Sequence, residues 1–366
     1  VGSEMCIRDS FGMAVSTAMI FGLVSLMFLD TSINMAMQPF KMMVGDMVNE
    51  KQKGLAYSIQ SFLCNAGSLV GFLFPFIFTW IGISNIAPQG VVPDSVIYSF
   101  YIGATILILC VIYTTVKVKE MPPAEYAEYH GITEEEEKEK INMMKLLVKA
   151  PKAFWTVGLV QFFCWFAFMF MWTYTNGSVA ANVFDAPTVE TVVNGISKIM
   201  LDTKSIQYQN AADWVGVLFA VQAIGSVLWA VCIPMFKNRK QIYSLSLILG
   251  GIGFISTYFV HNQYILFISF LLIGCAWAAM LALPFTILTN ALSGGHMGTY
   301  LGLFNGTICI PQIVAAALGG SILALFTPKG MLPPEINMLV MAGVMLIIGA
   351  VCVYLIKETK GEQAKA

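Results

Sequence analysis

The chain has 366 residues, of which 57% are hydrophobic and 11% charged, where a soluble globular domain carries about 25% charged residues. Its net charge of −1 gives no field to attract nucleic acid. The eight cysteines (Cys6, Cys64, Cys110, Cys164, Cys232, Cys275, Cys309 and Cys352) include no CxxC pair and read as small buried hydrophobes, and the histidines His130, His261 and His296 are scattered in connections. Neither a disulfide framework nor a metal site is expected.

Residues 1–10, VGSEMCIRDS, are polar and mixed in charge and lack the layout of a signal peptide. They read as a non-native leader joined to an apolar helix. Nine apolar segments follow, at 11–44, 55–81, 96–116, 154–174, 214–236, 242–260, 264–292, 298–326 and 338–356. Crossing a bilayer takes about 20 apolar residues in a helix, whereas barrel strands alternate in runs of about ten. The expected fold class is therefore an all-α integral membrane protein with about nine transmembrane helices.

Connections 49–53, 117–152 and 237–240 and the tail from Lys357 are basic, while 82–95, 261–263 and 327–337 hold a single Lys between them. The positive-inside rule makes the basic set, and the C-terminus, cytoplasmic. The connection 177–213 then lies outside, with Lys198 and Lys204 and an apolar patch of Val189, Val192, Val193, Ile196, Ile199 and Met200. That patch is either a lid over an outer mouth or ordinary loop packing. The longest cytoplasmic connection contains Pro122-Pro123 and a run of four glutamates, Glu134 to Glu137, and reads as a solvated linker. It divides the chain into a three-span part (11–116) and a six-span bundle (154–357), with the linker at 117–153 and a tail at 358–366.

Two regions resemble each other. Gln38-Pro39-Phe40 is followed after Gly54 by LAYSIQ, and Leu283-Pro284-Phe285 is followed after Gly298 by TYLGLFN. Each is a span ending in Pro-Phe, a short cytoplasmic turn, and a span opening with small and aromatic residues and an amide. Equal orientation makes this a parallel repeat, as between the halves of major facilitator transporters. Three spans precede the second Pro-Phe span within its half and none precede the first. The chain is therefore expected to hold spans four to twelve of a twelve-span transporter.

Asp30 follows a long uncharged run. At about 100° per residue, Asn34, Gln38 and Lys41 lie roughly 40°, 80° and 20° from it, making one polar stripe. A carboxyl within a membrane is costly unless it faces a cavity, a partner or a proton. The alternative is that Asp30 lies at headgroup level and ends the apolar core. A second stripe, Gln161, Trp165, Phe168 and Trp172, combines an amide with aromatic faces, which suit the hydroxyl edges and CH faces of a sugar; packing is the competing reading. Gln60, Asn65, Gln222, Asn305 and Gln312 are further amides within spans, suited to binding hydroxyls or to joining helices. Gly67, Gly71, Gly250, Gly251, Gly253, Gly319 and Gly320 are expected to permit close helix approach.

Asp30, Asn34, Pro39, Lys41 and Asp46 follow the pattern Asp-x3-Asn-x4-Pro-x-Arg-x4-Asp, with Lys in place of Arg. This resembles the fourth helix of sucrose/proton symporters, a branch of the glycoside–pentoside–hexuronide:cation symporters within the major facilitator superfamily. Residues 61–71 (SFLCNAGSLVG) are similar to the family's fifth helix, 159–165 (LVQFFCW) to its seventh, and 297–305 with Pro311-Gln312 to its eleventh. The resemblance makes Asp30 the proton-binding carboxylate and Lys41 the position of a family Arg, with charge kept but the bidentate fork lost.

The function it implies is proton-coupled symport of a disaccharide, an α-glucoside such as maltose or sucrose, across a bacterial inner membrane. The partners are sugar, proton and lipid bilayer, with no nucleic acid and no cofactor, and a monomer is expected. A sodium-coupled carrier of the same fold, for a melibiose-like sugar, is the first alternative. A membrane enzyme or a non-transporting sugar sensor is the second; the sequence shows no catalytic constellation or metal-ligand cluster for an enzyme.

Overall fold

The computed structural model describes residues 17–48, 52–83, 94–118, 143–193, 196–291, 297–328 and 330–356. The leader, the proline pair and glutamate run of the linker, Cys6, His130, His296 and the C-terminal tail lie outside the described residues. The helices are α1 (Thr17–Met47), α2 (Lys53–Trp80), α3 (Asp94–Lys117), α4 (Met143–Val148), α5 (Lys152–Asn182), α6 (Ile206–Cys232), α7 (Arg239–Ser256), α8 (Leu266–Ala291), α9 (Met297–Phe304), α10 (Gly306–Phe326) and α11 (Ile336–Cys352). Strands β1 (Thr188–Val193) and β2 (Ile196–Leu201) pair antiparallel between α5 and α6.

Within the described residues, all nine expected spans are helical. In a bilayer each backbone N–H and C=O must find a partner within the chain, and a helix provides that locally. Hydroxyls obey the same constraint: Thr31, Ser68, Thr105 and Thr173 each donate to the carbonyl four residues earlier, at 2.7 to 3.0 Å. Helix starts are set by side chains. Ser205 accepts from Tyr208 N at the head of α6, and Asn238 accepts from Lys240 N and Gln241 N at the head of α7. Among the described residues, six segments are long and apolar enough to cross a membrane by length and composition. The other three, α1, α2 and α7, have 31, 28 and 18 residues, enough for about 27 Å or more at 1.5 Å per residue.

The core of the bundle is α8, which packs against α6, α7, α2 and α5. Around it α11 lies on α5 and α7, and α10 on α5. The first three helices attach through α2, which lies against α6 and α8. The repeat is reciprocal in space: the first span of one copy meets the second span of the other, α8 against α2 and α1 against α9. At the first of these contacts Tyr57 stacks on Phe285, ring centroids 6.4 Å apart. Apolar faces of α1 and α3, including Met27, Phe28, Ile106 and Leu109, are exposed, as suits a lipid solvent.

Glycines bring α6, α7, α8 and α11 together. A Cβ on Gly274 of α8 would overlap the backbone of Gln222 and Ser226 on α6, and one on Gly253 of α7 would meet Ser269 O of α8. Gly251 and Gly343 face each other across α7 and α11, and Gly250 and Gly319 are likewise crowded. Gly67, Gly71 and Gly320 depart from expectation, having no described atom within 4 Å of a Cβ built there.

Further departures have local causes. The span 298–326 is two helices, broken at Asn305, whose N–H is shared between Leu301 O and Gly302 O. Gly302 and Gly306 flank the break and Pro311 cannot donate to the carbonyl four residues before it. The connection 177–213 is shorter than expected because α5 runs to Asn182 and α6 begins at Ile206. Its apolar patch forms the hairpin, with Val189 opposite Met200 and Val193 opposite Ile196. The end of the linker is helical, and Leu147 of α4 packs on the core. The seven cysteines within described residues are free, but Cys64 and Cys110 are exposed rather than buried, since α2 and α3 have no described protein on those faces.

Gly274→Val should therefore cost about 1–3 kcal/mol through backbone overlap at the α6–α8 contact. Gly67→Ala, with open space around it, should leave the thermal midpoint of the detergent-solubilised protein unchanged; equal loss in both variants would contradict this packing.

Candidate functional site

The second polar stripe organises a site between α5 and α8. Pro284 has no N–H, so the Met280 carbonyl one turn earlier loses its helical donor. Gln161 Nε2 lies 3.4 Å from that oxygen, a long bond that ties α5 to α8 at the proline. Gln161 is fully buried, and its Oε1 has no hydrogen-bond partner among the described residues.

One turn along α5, Trp165 is 8% exposed and its indole Nε1 also has no partner among the described residues. Trp277 of α8, three residues before Met280, completes an aromatic cluster. Its ring centroid is 5.7 Å from Trp165, 4.9 Å from Phe168 and 5.8 Å from Trp172, the two Trp pairs edge-to-face. Phe168 is fully buried and also meets Phe254 of α7, so its role is packing. Trp172 and Trp277 are half-buried. The cluster thus gathers two half-buried indoles, Trp172 and Trp277, with one donor and one acceptor that have no partner among the described residues. Buried polar atoms left unpaired are costly, about 1–3 kcal/mol each, and this pair is disposed to receive a ligand with hydroxyls and an apolar face.

Trp277 was not among the sequence candidates. Its signal was present: it is the one large aromatic in the run GCAWAA, on the helical face that leads to Pro284.

The other candidates are dispersed. Asp30 on α1 is exposed, not buried by any described helix, and lies within electrostatic reach of Cys309 on α10. Asn34, Gln38 and Lys41 are on the same helix, with side chains outside the described residues. Gln60 is half-buried on α2. Asn65 is fully buried, donates to Ser61 O at 2.7 Å, and its Oδ1 has no partner among the described residues. Gln222 is 6% exposed on α6, beside Gly274. Asn305 sits at the α9–α10 break with Nδ2 3.8 Å from Cys309 Sγ, and Gln312 is half-buried on α10. The structure joins Gln161, Trp165 and Trp172 in one cluster and adds Trp277. No group of three or more potential metal ligands occurs among the described residues.

Comparison with known proteins agrees with this architecture. The sequence profile of the Major Facilitator Superfamily matches residues 179–366, just over half the chain. Two solved structures share the fold. One is the E. coli fucose:proton symporter FucP, with TM-score 0.57, 12% identity, and coverage of 87% of this chain and 72% of that one. The other is FucP, a major facilitator transporter, in the outward conformation, with TM-score 0.58, 12% identity, and coverage of 88% and 72%. No curated protein sequence matches the chain. The chain belongs to the Major Facilitator Superfamily.

Gln161 makes one long bond and leaves one atom unpaired, so Gln161→Leu should change thermal stability by less than about 1 kcal/mol. Ligand binding, read by quenching of tryptophan fluorescence, should be lost in the same variant; intact quenching would remove Gln161 from the site.

Proposed function

We propose that this carrier is a proton-coupled sugar symporter that works by alternating access, with a disaccharide of the α-glucoside class, such as maltose or sucrose, as cargo. The observation that carries the proposal is the cluster of Trp165, Trp172 and Trp277 beside the unpaired Gln161 Oε1 and Trp165 Nε1. Sugar rings stack their CH faces on indoles and offer hydroxyls as both donor and acceptor. The site carries no charged residue, which fits a neutral cargo.

The fold shared with the E. coli fucose:proton symporter FucP is compatible with this reading. The finer assignment, to the sucrose/proton branch of the glycoside–pentoside–hexuronide:cation symporters, rests on the Asp30, Asn34, Pro39, Lys41 and Asp46 pattern.

In this reading Asp30 carries the proton. It sits on α1, whose contact with α9 mirrors that of α2 with α8. Those two reciprocal seams are where a three-span and a six-span part would rock against each other around the sugar. Lys41 keeps a positive charge on the Asp30 face. Asn34, Gln38, Gln60, Asn65, Gln222, Asn305 and Gln312 would serve the cargo or the seams. The basic connections would face the cytoplasm of a bacterial inner membrane, with the carrier a monomer.

The test is uptake of labelled maltose and sucrose by proteoliposomes of the full-length transporter. An imposed proton gradient should drive accumulation. Accumulation driven by sodium and not by protons would overturn the coupling assignment. Asp30→Asn should abolish accumulation against a gradient while leaving downhill exchange; concentrative uptake at the normal level would remove Asp30 from coupling. Trp277→Ala removes an aromatic contact of about 0.5–1.5 kcal/mol, so KM should rise about twofold to tenfold.

A further inference from the structure

Asn65 of α2 and Ser226 of α6 are fully buried, and each has a side-chain oxygen without a partner among the described residues. Asn65 uses its amide nitrogen within its own helix, donating to Ser61 O at 2.7 Å, which leaves Oδ1. Ser178, Ser246 and Thr289 return their hydroxyls to the carbonyl four residues back, but Ser226 does not. The carbonyl it would use, Gln222 O, lies against Gly274 where α6 meets α8.

The two residues face each other. Phe72 of α2 meets Phe219 of α6, ring centroids 5.9 Å apart, and α2 also touches the Ile233–Met235 turn that follows α6. That turn begins fourteen residues past Phe219, whereas α2 ends at Trp80, eight past Phe72, so the helices run antiparallel. Asn65 is seven residues before Phe72, and Ser226 is seven after Phe219. Seven residues are nearly two turns, so each lies on the face that bears the ring, about 10.5 Å along the axis. Asn65 and Ser226 therefore stand at one level of the α2–α6 contact. A Cβ on Gly274 would meet Ser226 N, so α8 closes the same level from the side.

An amide oxygen and a hydroxyl shut between helices without partners weaken the contact that buries them, and an apolar group of similar shape in their place is neutral or stabilising. Water reaching them removes the penalty. This contact joins the three-span part, which contains α2, to the six-span part, which contains α6. Gln161 Oε1 and Trp165 Nε1, by contrast, belong to α5 and lie wholly within the six-span part.

We propose that Asn65 and Ser226 are a release point built into the α2–α6 seam. While the seam is shut they are dry and unpaired; when it opens they are hydrated, which offsets part of the cost of parting the helices. They are positioning residues, setting how readily the two parts separate. The proposal rests on the alternating-access reading and not on the identity of the cargo or the coupling ion.

The test uses the full-length carrier in nanodiscs, cysteine-free apart from one spin-labelled pair, with no cargo and no gradient. Gln52→Cys with Met235→Cys reports one end of the seam, and Trp80→Cys with Asn210→Cys the other; all four positions are exposed. Electron–electron resonance between the labels gives the ratio of long to short distances. Adding Ser226→Ala should lower that ratio about fivefold or more at the end that opens, the lesser cost of one unpaired buried group. The thermal midpoint should stay at or above that of the unsubstituted carrier, as it would not if the hydroxyl held the helices together. Asn65→Leu should act in the same direction, and Ser68→Ala, on the exposed face of α2, should change neither quantity. An unchanged or raised ratio in Ser226→Ala, a lowered midpoint in that variant, a ratio raised by Asn65→Leu, or an equal response to Ser68→Ala would each overturn the proposal alone. A single distance at both ends of the unsubstituted carrier would overturn the alternating-access reading and this proposal with it.

Discussion

In lipid no water is available to satisfy a backbone carbonyl, and the consequences of that constraint run through this molecule. Helices follow from it throughout the spans, and hydroxyls turn back on the preceding turn. The informative places are those where the helix cannot satisfy itself. Pro284 leaves the Met280 carbonyl without its helical donor, and Gln161 from a neighbouring helix reaches it. One missing N–H therefore sets the level at which α5 and α8 face each other. That level is where the tryptophans meet.

The packing around α8 shows how a carrier core is assembled without a hydrophobic drive between helices. Lipid is as apolar as leucine, so close backbone approach and van der Waals contact must join the helices. Gly274, Gly253 and the Gly251–Gly343 contact provide that approach in the six-span part. The contacts of α2 with that part include aromatic pairs, as at Tyr57–Phe285 and Phe72–Phe219. A tightly glycine-packed bundle joined to the other half through rings is suited to rigid-body movement at the junction.

Much of the fold was legible in the linear pattern. Nine apolar runs predicted helices, and among the described residues each is helical, with boundaries within a few residues for most. The errors lay where local rules compete. Asn305 between two glycines, upstream of Pro311, breaks a helix inside an apolar run, which hydropathy does not register. The patch from Val189 to Met200, read as a lid or as loop packing, forms a hairpin whose apolar residues pair across strands. Gly67, Gly71 and Gly320 look like Gly250 and Gly251 in sequence, but only a neighbouring helix makes a glycine a contact, and the sequence does not name the neighbour.

The site divides in the same way. Gln161, Trp165 and Trp172 lie on one helical face at a spacing that sequence alone reveals. The membrane class, the helical spans and that face were determined by the chain's own periodicity and its scarcity of charge, because these are local properties. Only the tertiary structure brought Trp277 to them from more than a hundred residues away, left Gln161 Oε1 and Trp165 Nε1 unpaired, and set Asn65 opposite Ser226. Pairing, burial and exposure belong to contacts between helices, and which helices meet is decided by how the whole bundle packs.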